Sequence, residues 1–293
     1  MKKGFRGFYI KCNGEKNIAF VFGQNANKSN KSSFIQVITK DASFNENFEF
    51  DEFTHSKKPF RVSVGETFID SNSLNVEINR PGLQVHGKLE FSEFAKIKYD
   101  AMGPLKLLPR MECKHYVTSM SHTVTGQLVI NGEIYTFNND PGYIEGDRGK
   151  SFPLRYFWTQ CNSWTESKDL SIMAAAARIP YMGIRFTGTI CIVHYAGKEY
   201  RLASYLGARV KEFTNTNFVI KQGSKLLEIK VTDDQSKHSL FAPDLGNMTR
   251  IIKENIHATV NYKFTVGRGK NRQILFDITS PNAAFEFSEK PNE

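Results

Sequence analysis

The sequence predicts an all-β protein, and three observations carry that reading. Apolar and polar residues alternate in short runs along most of the chain. Turn signals such as Arg80-Pro81-Gly82, Asn131-Gly132 and Ala196-Gly197-Lys198 separate those runs. The composition holds 24 Phe and 11 Tyr, residue types that favour half-buried strands. With 293 residues the chain can bury a sizeable core in one large or two ordinary domains.

The elements follow in order. Phe8 to Cys12 and Ile18 to Phe22 flank Asn13-Gly14-Glu15-Lys16-Asn17 and predict a hairpin with a five-residue loop. Gln24 to Ser33 is polar and predicts a loop; Ser33 to Thr39 predicts a strand. Phe44, Phe48, Phe50 and Phe53 recur mostly at even spacing. Thr67 to Ile69, Leu74 to Ile78 and Leu83 to Phe91 predict a meander, with a turn at Arg80-Pro81-Gly82. Tyr99 to Arg110 holds Gly103-Pro104 and Pro109, and predicts an irregular crossing between two halves. The boundary is expected between 100 and 140, giving units over 1–105 and 106–293.

His115 to Met120 predicts a strand. His122 to Ile130, the turn Asn131-Gly132 and Glu133 to Phe137 predict a hairpin. Asp140-Pro141-Gly142 reads as a turn. Leu170 to Arg178 carries four alanines and has helical propensity. The strand Tyr156–Asn162 and the polar turn 165–169 before it favour a hairpin strand instead. Thr187 to Tyr195 and Glu199 to Ser204 predict a further hairpin, and Phe218 to Ile220, Leu226 to Val231 and Thr259 to Phe264 continue the pattern. Ile251, Ile252 and Ile256 predict one short helical turn. Ile274 to Ile278 and Ala283 to Phe287 close the chain.

Charge and cysteine usage narrow the function classes. The 39 Lys and Arg outnumber the 30 Asp and Glu, giving +9, but no basic run exceeds two residues. Dispersed charge argues against nucleic acid as a partner, because such modules cluster their cations. A peripheral contact with an anionic membrane surface is compatible with this balance. Cys12, Cys113, Cys161 and Cys191 are widely and irregularly spaced, with no C-x-x-C. Free thiols and a cytoplasmic location are the expectation, since the opening Met-Lys-Lys-Gly-Phe-Arg-Gly is followed by no apolar run. Gly149-Lys150-Ser151 imitates the end of a P-loop, but Ile144 stands where that motif requires Gly. No metal-ligand spacing and no nucleophile elbow occurs.

The stretch from Asp140 to Asn162 carries the candidate site. If extended, Tyr156, Trp158, Gln160 and Asn162 share one face, and Phe157, Thr159 and Cys161 the other. Two aromatics and two amides suit the wall of a ligand cavity. Glu145 and Asp147 share a face with Tyr143. They serve either backbone amides and a nearby Arg148 or Arg155, or chemistry. His122 and Glu112 are candidates to orient an acid.

Gly142-Tyr143-Ile144-Glu145-Gly146-Asp147-Arg148-Gly149, then Ser151-Phe152-Pro153 and Phe157-Trp158-Thr159-Gln160-Cys161-Asn162, resembles the tocopherol cyclase family. Gly7-Phe8-Tyr9-Ile10-Lys11 and Phe241-Ala242-Pro243 extend the resemblance over most of the chain. It departs where Gly146 replaces a Lys and Arg148 a Trp. The resemblance implies two tandem lipocalin-like (calycin) β-barrels or curved β-sandwich units around a lipophilic ligand. It implies a cofactor-independent cyclase or isomerase, without metal, acting on a prenylquinol-like molecule. The alternative is a non-catalytic carrier of a hydrophobic small molecule. Cyclisation needs one proton donor, a dry cavity and aromatic faces near a cation. Glu145 matches the family's Glu and is the expected donor. Asp147 stands where plant members have Asn. Tyr143, Tyr156, Trp158, Gln160, Asn162 and Arg148 are the expected substrate contacts.

Overall fold

A computed structural model describes residues 3–109, 111–165, 169–181, 183–234 and 239–289. Among these residues it holds strands and short 3-10 turns, with no α-helix. The protein is all-β, built from two large antiparallel sheets.

The first sheet has eleven strands: β1 (Gly4–Cys12), β2 (Ile18–Ala26), β3 (Lys31–Ile38), β4 (Ser43–Phe48), β5 (Phe53–Lys57), β6 (Phe60–Val64), β7 (Thr67–Asp70), β8 (Ser73–Arg80), β9 (Leu83–Phe91), β10 (Cys113–Ile130) and β11 (Glu133–Gly149). Their order is β4-β3-β2-β1-β11-β10-β9-β8-β7-β6-β5. The second sheet contains β12 (Arg155–Cys161), β13 (Leu170–Tyr181), β14 (Ile184–Tyr195), β15 (Lys198–Ala203), β16 (Arg209–Phe213), β17 (Asn217–Gln222), β18 (Lys225–Asp233), β20 (Asn247–Val266) and β21 (Gln273–Glu289), with β19 (Ser239–Asp244) paired to β20.

Each sheet curves around its own core. Phe8, Ile10, Phe20, Phe22, Ile35, Leu74, Leu89 and Ile144 meet in the first. Phe157, Cys161, Ile172, Val193, Phe218, Tyr262 and Phe285 meet in the second, where Phe157 stacks on Phe218 at 4.6 Å. Every such apolar side chain contributes about 1.5–3 kcal/mol by leaving water.

The division of the chain differs from 1–105 and 106–293. One compact unit comprises 1–97, 113–152 and 239–251; the other comprises 98–112, 153–238 and 252–293. Pairing explains the first: β11 lies against β1 from Phe5↔Gly149 to Cys12↔Gly142, which ties the first half of the signature to the N-terminus.

Most expected hairpins are present, including β1–β2 around residues 13–17 and β10–β11 around Asn131-Gly132, both at positive φ. Leu170 to Arg178 is strand, paired from Tyr156↔Ala177 to Cys161↔Ile172. Part of the polar turn before it, 166–168, lies outside the described residues.

Several readings change. The expected loop 24–33 shrinks to 27–30, because β2 runs to Ala26 and Asn27 Oδ1 closes the turn by accepting from Ser29 N and Asn30 N. Residues 115–120 and 122–130 form one strand, as do 274–278 and 283–287, since bulges interrupt the ladders without ending them. Asp140-Pro141-Gly142 sits inside β11. Pro141 needs no donor there, because β1 pairing begins only at Gly142, and Asn139 takes positive φ at a register shift. Ile251, Ile252 and Ile256 lie in β20, where Arg250, Ile252, Glu254 and Ile256 alternate inward.

Candidate active site

Strand β11 lies between β1 and β10, and its residues Gly142 to Gly146 are buried on both faces. Ile144 enters the first core, with Gly146 on the same side. Tyr143 and Glu145 are buried on the opposite side, with Asp147 partly exposed beyond them. A buried carboxyl costs several kcal/mol unless it is paired.

The pairing is dense. Tyr143 Oη donates to Glu145 Oε2 at 2.5 Å, as their i, i+2 spacing on one face allows. His115 stands opposite Asp147 on β10, diagonal to Glu145. Its Nδ1 lies 3.2 Å from Asp147 Oδ1, and its Nε2 lies 3.3 Å from Glu145 Oε2. The second contact is an ion-pair distance without hydrogen-bond direction. Cys113 Sγ donates to Asp147 Oδ1 at 3.3 Å.

Burial alone would pull the His115 pKa down, but the Glu145 and Asp147 carboxylates outweigh it and hold it well above 6.5. Burial, then the Glu145 carboxylate, push the Tyr143 phenol well above 10, so it stays a donor. The ligand atoms of His115, Glu145 and Asp147 lie within 4.8 Å of one another, close enough to consider a metal ion. Yet the imidazole turns different nitrogens to the two acids, whereas a metal takes one nitrogen per ring. The arrangement suits an imidazolium held between carboxylates.

Of the expected orienting partners, His122 lies on the other face of the sheet. His122 is on the core side, with Nδ1 2.9 Å from Ser119 Oγ and its ring against Phe91 and Phe94. Burial lowers its pKa to about 3, so it is neutral. Gly142 faces it because a Cβ there would come 2.5 Å from Nε2. Glu112 lies in the bend before β10, within the second unit. Arg148 turns to the side opposite Asp147, so His115 is the cation at that acid. Gly146 leaves room for Tyr116, whose ring would be 2.6 Å from an added Cβ.

Sequence reasoning missed His115. Counting straight back from Asn131-Gly132 puts Tyr116 opposite Asp147, and register shifts in β10 bring His115 there instead.

Tyr156, Trp158 and Gln160 on β12, and Asn162 just past its end, are buried, while Phe157 and Cys161 enter the second core. Tyr156 Oη donates to Glu286 on β21, and Gln160 Nε2 donates to Asn162 Oδ1 at 3.1 Å. Glu286 stands in register with Trp158 and with Glu254 of β20. Neither glutamate was singled out from the sequence, because pairing between segments this far apart leaves no local signal.

The tocopherol cyclase-like family pattern matches residues 27–288. A probable chloroplastic tocopherol cyclase of Oryza sativa subsp. japonica is 25% identical over 199 residues, covering 64% of this chain and 42% of the relative. A chloroplastic tocopherol cyclase of Zea mays is 24% identical over 198 residues, with the same coverage. The chain thus spans about two fifths of the length of these relatives. Two solved structures share the fold. Kievitone hydratase from Nectria haematococca has a TM-score of 0.54 at 10% identity, over 98% of this chain and 89% of that one. CghA with Sch210972 has a TM-score of 0.63 at 7% identity, over 99% and 90%. At such identities the likeness speaks for architecture, two lipocalin-like β units, and not for activity.

Proposed function

Because the chain belongs to the tocopherol cyclase-like family, we propose that it catalyses an acid-assisted cyclisation or isomerisation of a prenylated aromatic or similar lipophilic alkene. The observation that carries this reading is the Glu145 carboxyl, which accepts from Tyr143 and lies 3.3 Å from an imidazolium.

The chemistry balances without a co-reactant. Glu145, acting as the acid, gives its proton to the trisubstituted alkene. The adjacent phenol oxygen attacks the tertiary cation, closing a C–O bond. The phenol proton returns to the carboxylate, so the net change is an isomerisation. The Tyr143 hydrogen bond stabilises the carboxylate left after donation. Asp147 holds His115 from the other side. Within the second unit, the buried face that carries Tyr156, Trp158, Gln160 and Asn162 is proposed as a ligand-contacting surface, its rings and amides being of the kinds that line ligand cavities.

The test is turnover of a tocopherol-type prenylquinol by the purified chain, with mass spectrometry of lipid that co-purifies. Chiral chromanol product supports the reading. Tight binding without product would make the protein a carrier of hydrophobic molecules. Turnover abolished by a chelator and restored by one divalent ion would replace the proton relay with a metal centre.

A further inference from the structure

The core-side face of β11 carries a feature that the proposed reaction does not use. Arg6 of β1 stands opposite Arg148 of β11, and Arg148 stands opposite Lys114 of β10. Each lies two residues from a member of the same face: Phe8, Gly146 and Tyr116 respectively. Three cations therefore cross three adjacent strands at one end of the first core.

Like charges directly opposed on neighbouring strands repel. Among the described residues the arginine ion pairs are those of Arg61, Arg155 and Arg201, so neither Arg6 nor Arg148 has a carboxylate within 4.0 Å. Asp147 is turned away to His115. Arg6 instead donates to the His55 imidazole. Burial, and then Arg148 among the neighbouring cations, pull the Arg6 guanidinium below its ordinary value. Burial, Arg6, Lys57 and Arg148 lower His55 in turn, which suits it as the neutral acceptor.

Beneath this rim the core is aromatic. The Phe8 ring lies 5.6 Å from Tyr116, 6.1 Å from Phe60, 6.5 Å from Phe53 and 6.3 Å from His55. A guanidinium is a fork-shaped donor matched to an oxyanion, and aromatic rings suit an apolar tail. Arg6 is half-buried and Arg148 exposed, and an anion shared between the two guanidinium groups would offset their mutual repulsion.

We propose that Arg6 and Arg148 form a binding site for the oxyanion head of a small amphiphile, such as a fatty carboxylate, with its chain against Phe8, Phe53, Phe60 and Tyr116. This site is on the face of β11 opposite Glu145, so it stands whether or not the cyclase reading does. It also gives a role to the arginine that occupies the family's tryptophan position.

The experiment is calorimetric titration with decanoate, decanol and inorganic phosphate at about 0.15 M salt, where long-range surface charge is screened. Sedimentation with phosphatidylglycerol and phosphatidylcholine vesicles runs beside it. Decanoate should bind at least about tenfold tighter than decanol or phosphate, one ion-pairing contact being worth that much. Arg6→Gln and Arg148→Gln should each lose about tenfold or more, and Arg178→Gln, exposed in the second unit, should lose nothing. Without ligand, Arg148→Gln should melt about 1–3 °C higher, because it relieves repulsion. Equal binding of decanoate and phosphate would overturn the amphiphile assignment in favour of a free oxyanion. Variant-sensitive binding to phosphatidylglycerol vesicles with none to decanoate would overturn it in favour of a bilayer surface. Unchanged decanoate affinity in both variants, or a lower melting point in Arg148→Gln, would remove the site.

Discussion

Strands β11 and β12 follow each other in the chain and belong to different sheets. Each sends alternate residues into an apolar core, Ile144 in one and Phe157 and Cys161 in the other. Their other faces differ in kind. On β11, Tyr143, Glu145 and Asp147 are all ionisable and are bound into one network with His115. On and just past β12, Tyr156, Trp158, Gln160 and Asn162 offer rings and amides, with a glutamate supplied by β21. A network that stores a proton affects a barrier, whereas rings and amides affect fit. The contrast therefore predicts that β11 variants act on kcat and β12 variants on KM.

The largest expected effect is at Glu145. Glu145→Gln should lower kcat by roughly 10²- to 10⁴-fold, the range for a lost general acid, and leave ligand affinity within about tenfold. Full activity with an unchanged melting curve would end its role as donor. His115→Gln should cost less, about 10- to 10²-fold, because the carboxyl can still take a proton from water. An effect on KM alone would make His115 a binding residue and break the division between the strands.

Trp158→Ala comes next. It should weaken prenylquinone binding by about tenfold, near the cost of losing one aromatic contact, with kcat for bound substrate retained. Fluorescence separates the two tryptophans. Trp164 donates its indole N–H to Leu170 O at 2.6 Å and packs edge-on to Tyr262, so it is committed to the second core. Quenching that survives in Trp158→Ala and vanishes in Trp164→Phe would move the ligand away from the β12 face.

The sequence carried the fold further than the site. Hairpins at 13–17 and 131–132 were readable because their turn residues sit between alternating runs. Arg250 to Ala258 alternates as well, but the spacing of Ile251, Ile252 and Ile256 imitates a helical face and hides it. The long strands looked like pairs of short ones because bulges interrupt their periodicity. At the site, Glu145 and Asp147 could be placed on one face with Tyr143 by alternation alone. His115 could not be assigned, since three register shifts in the β10–β11 ladder alter the parity of pairing. Arg148 misled for the opposite reason: adjacency in a strand puts neighbouring side chains on opposite faces, so the cation next to Asp147 in sequence is not its partner.

The smallest effect sharpens the comparison most. Asp147→Asn keeps the shape of the β11 face and removes one of two carboxylates that hold His115 charged. Burial opposes that charge, so with Glu145 alone the His115 pKa should fall while remaining a cation at neutral pH. The rate near pH 7 should then change by less than about fivefold, since a fully protonated group loses little from a small shift. The sign appears in the pH profile. A histidine whose folded pKa is raised contributes stability that is complete below its unfolded value near 6.5 and is lost as pH rises through its folded value. In the parent protein that loss, and the alkaline fall in kcat, should come well above pH 6.5. In Asp147→Asn both should move down together, because one of the two carboxylates that raise the His115 pKa is gone. Melting temperature and kcat measured from pH 5 to 10 on both proteins, about that range spanning the titration, decide it. If the kcat limb moves and the stability limb does not, the titrating group is on the substrate. If neither moves, Asp147 does not hold His115 charged, and the difference between the two strands reduces to Glu145 and Tyr143.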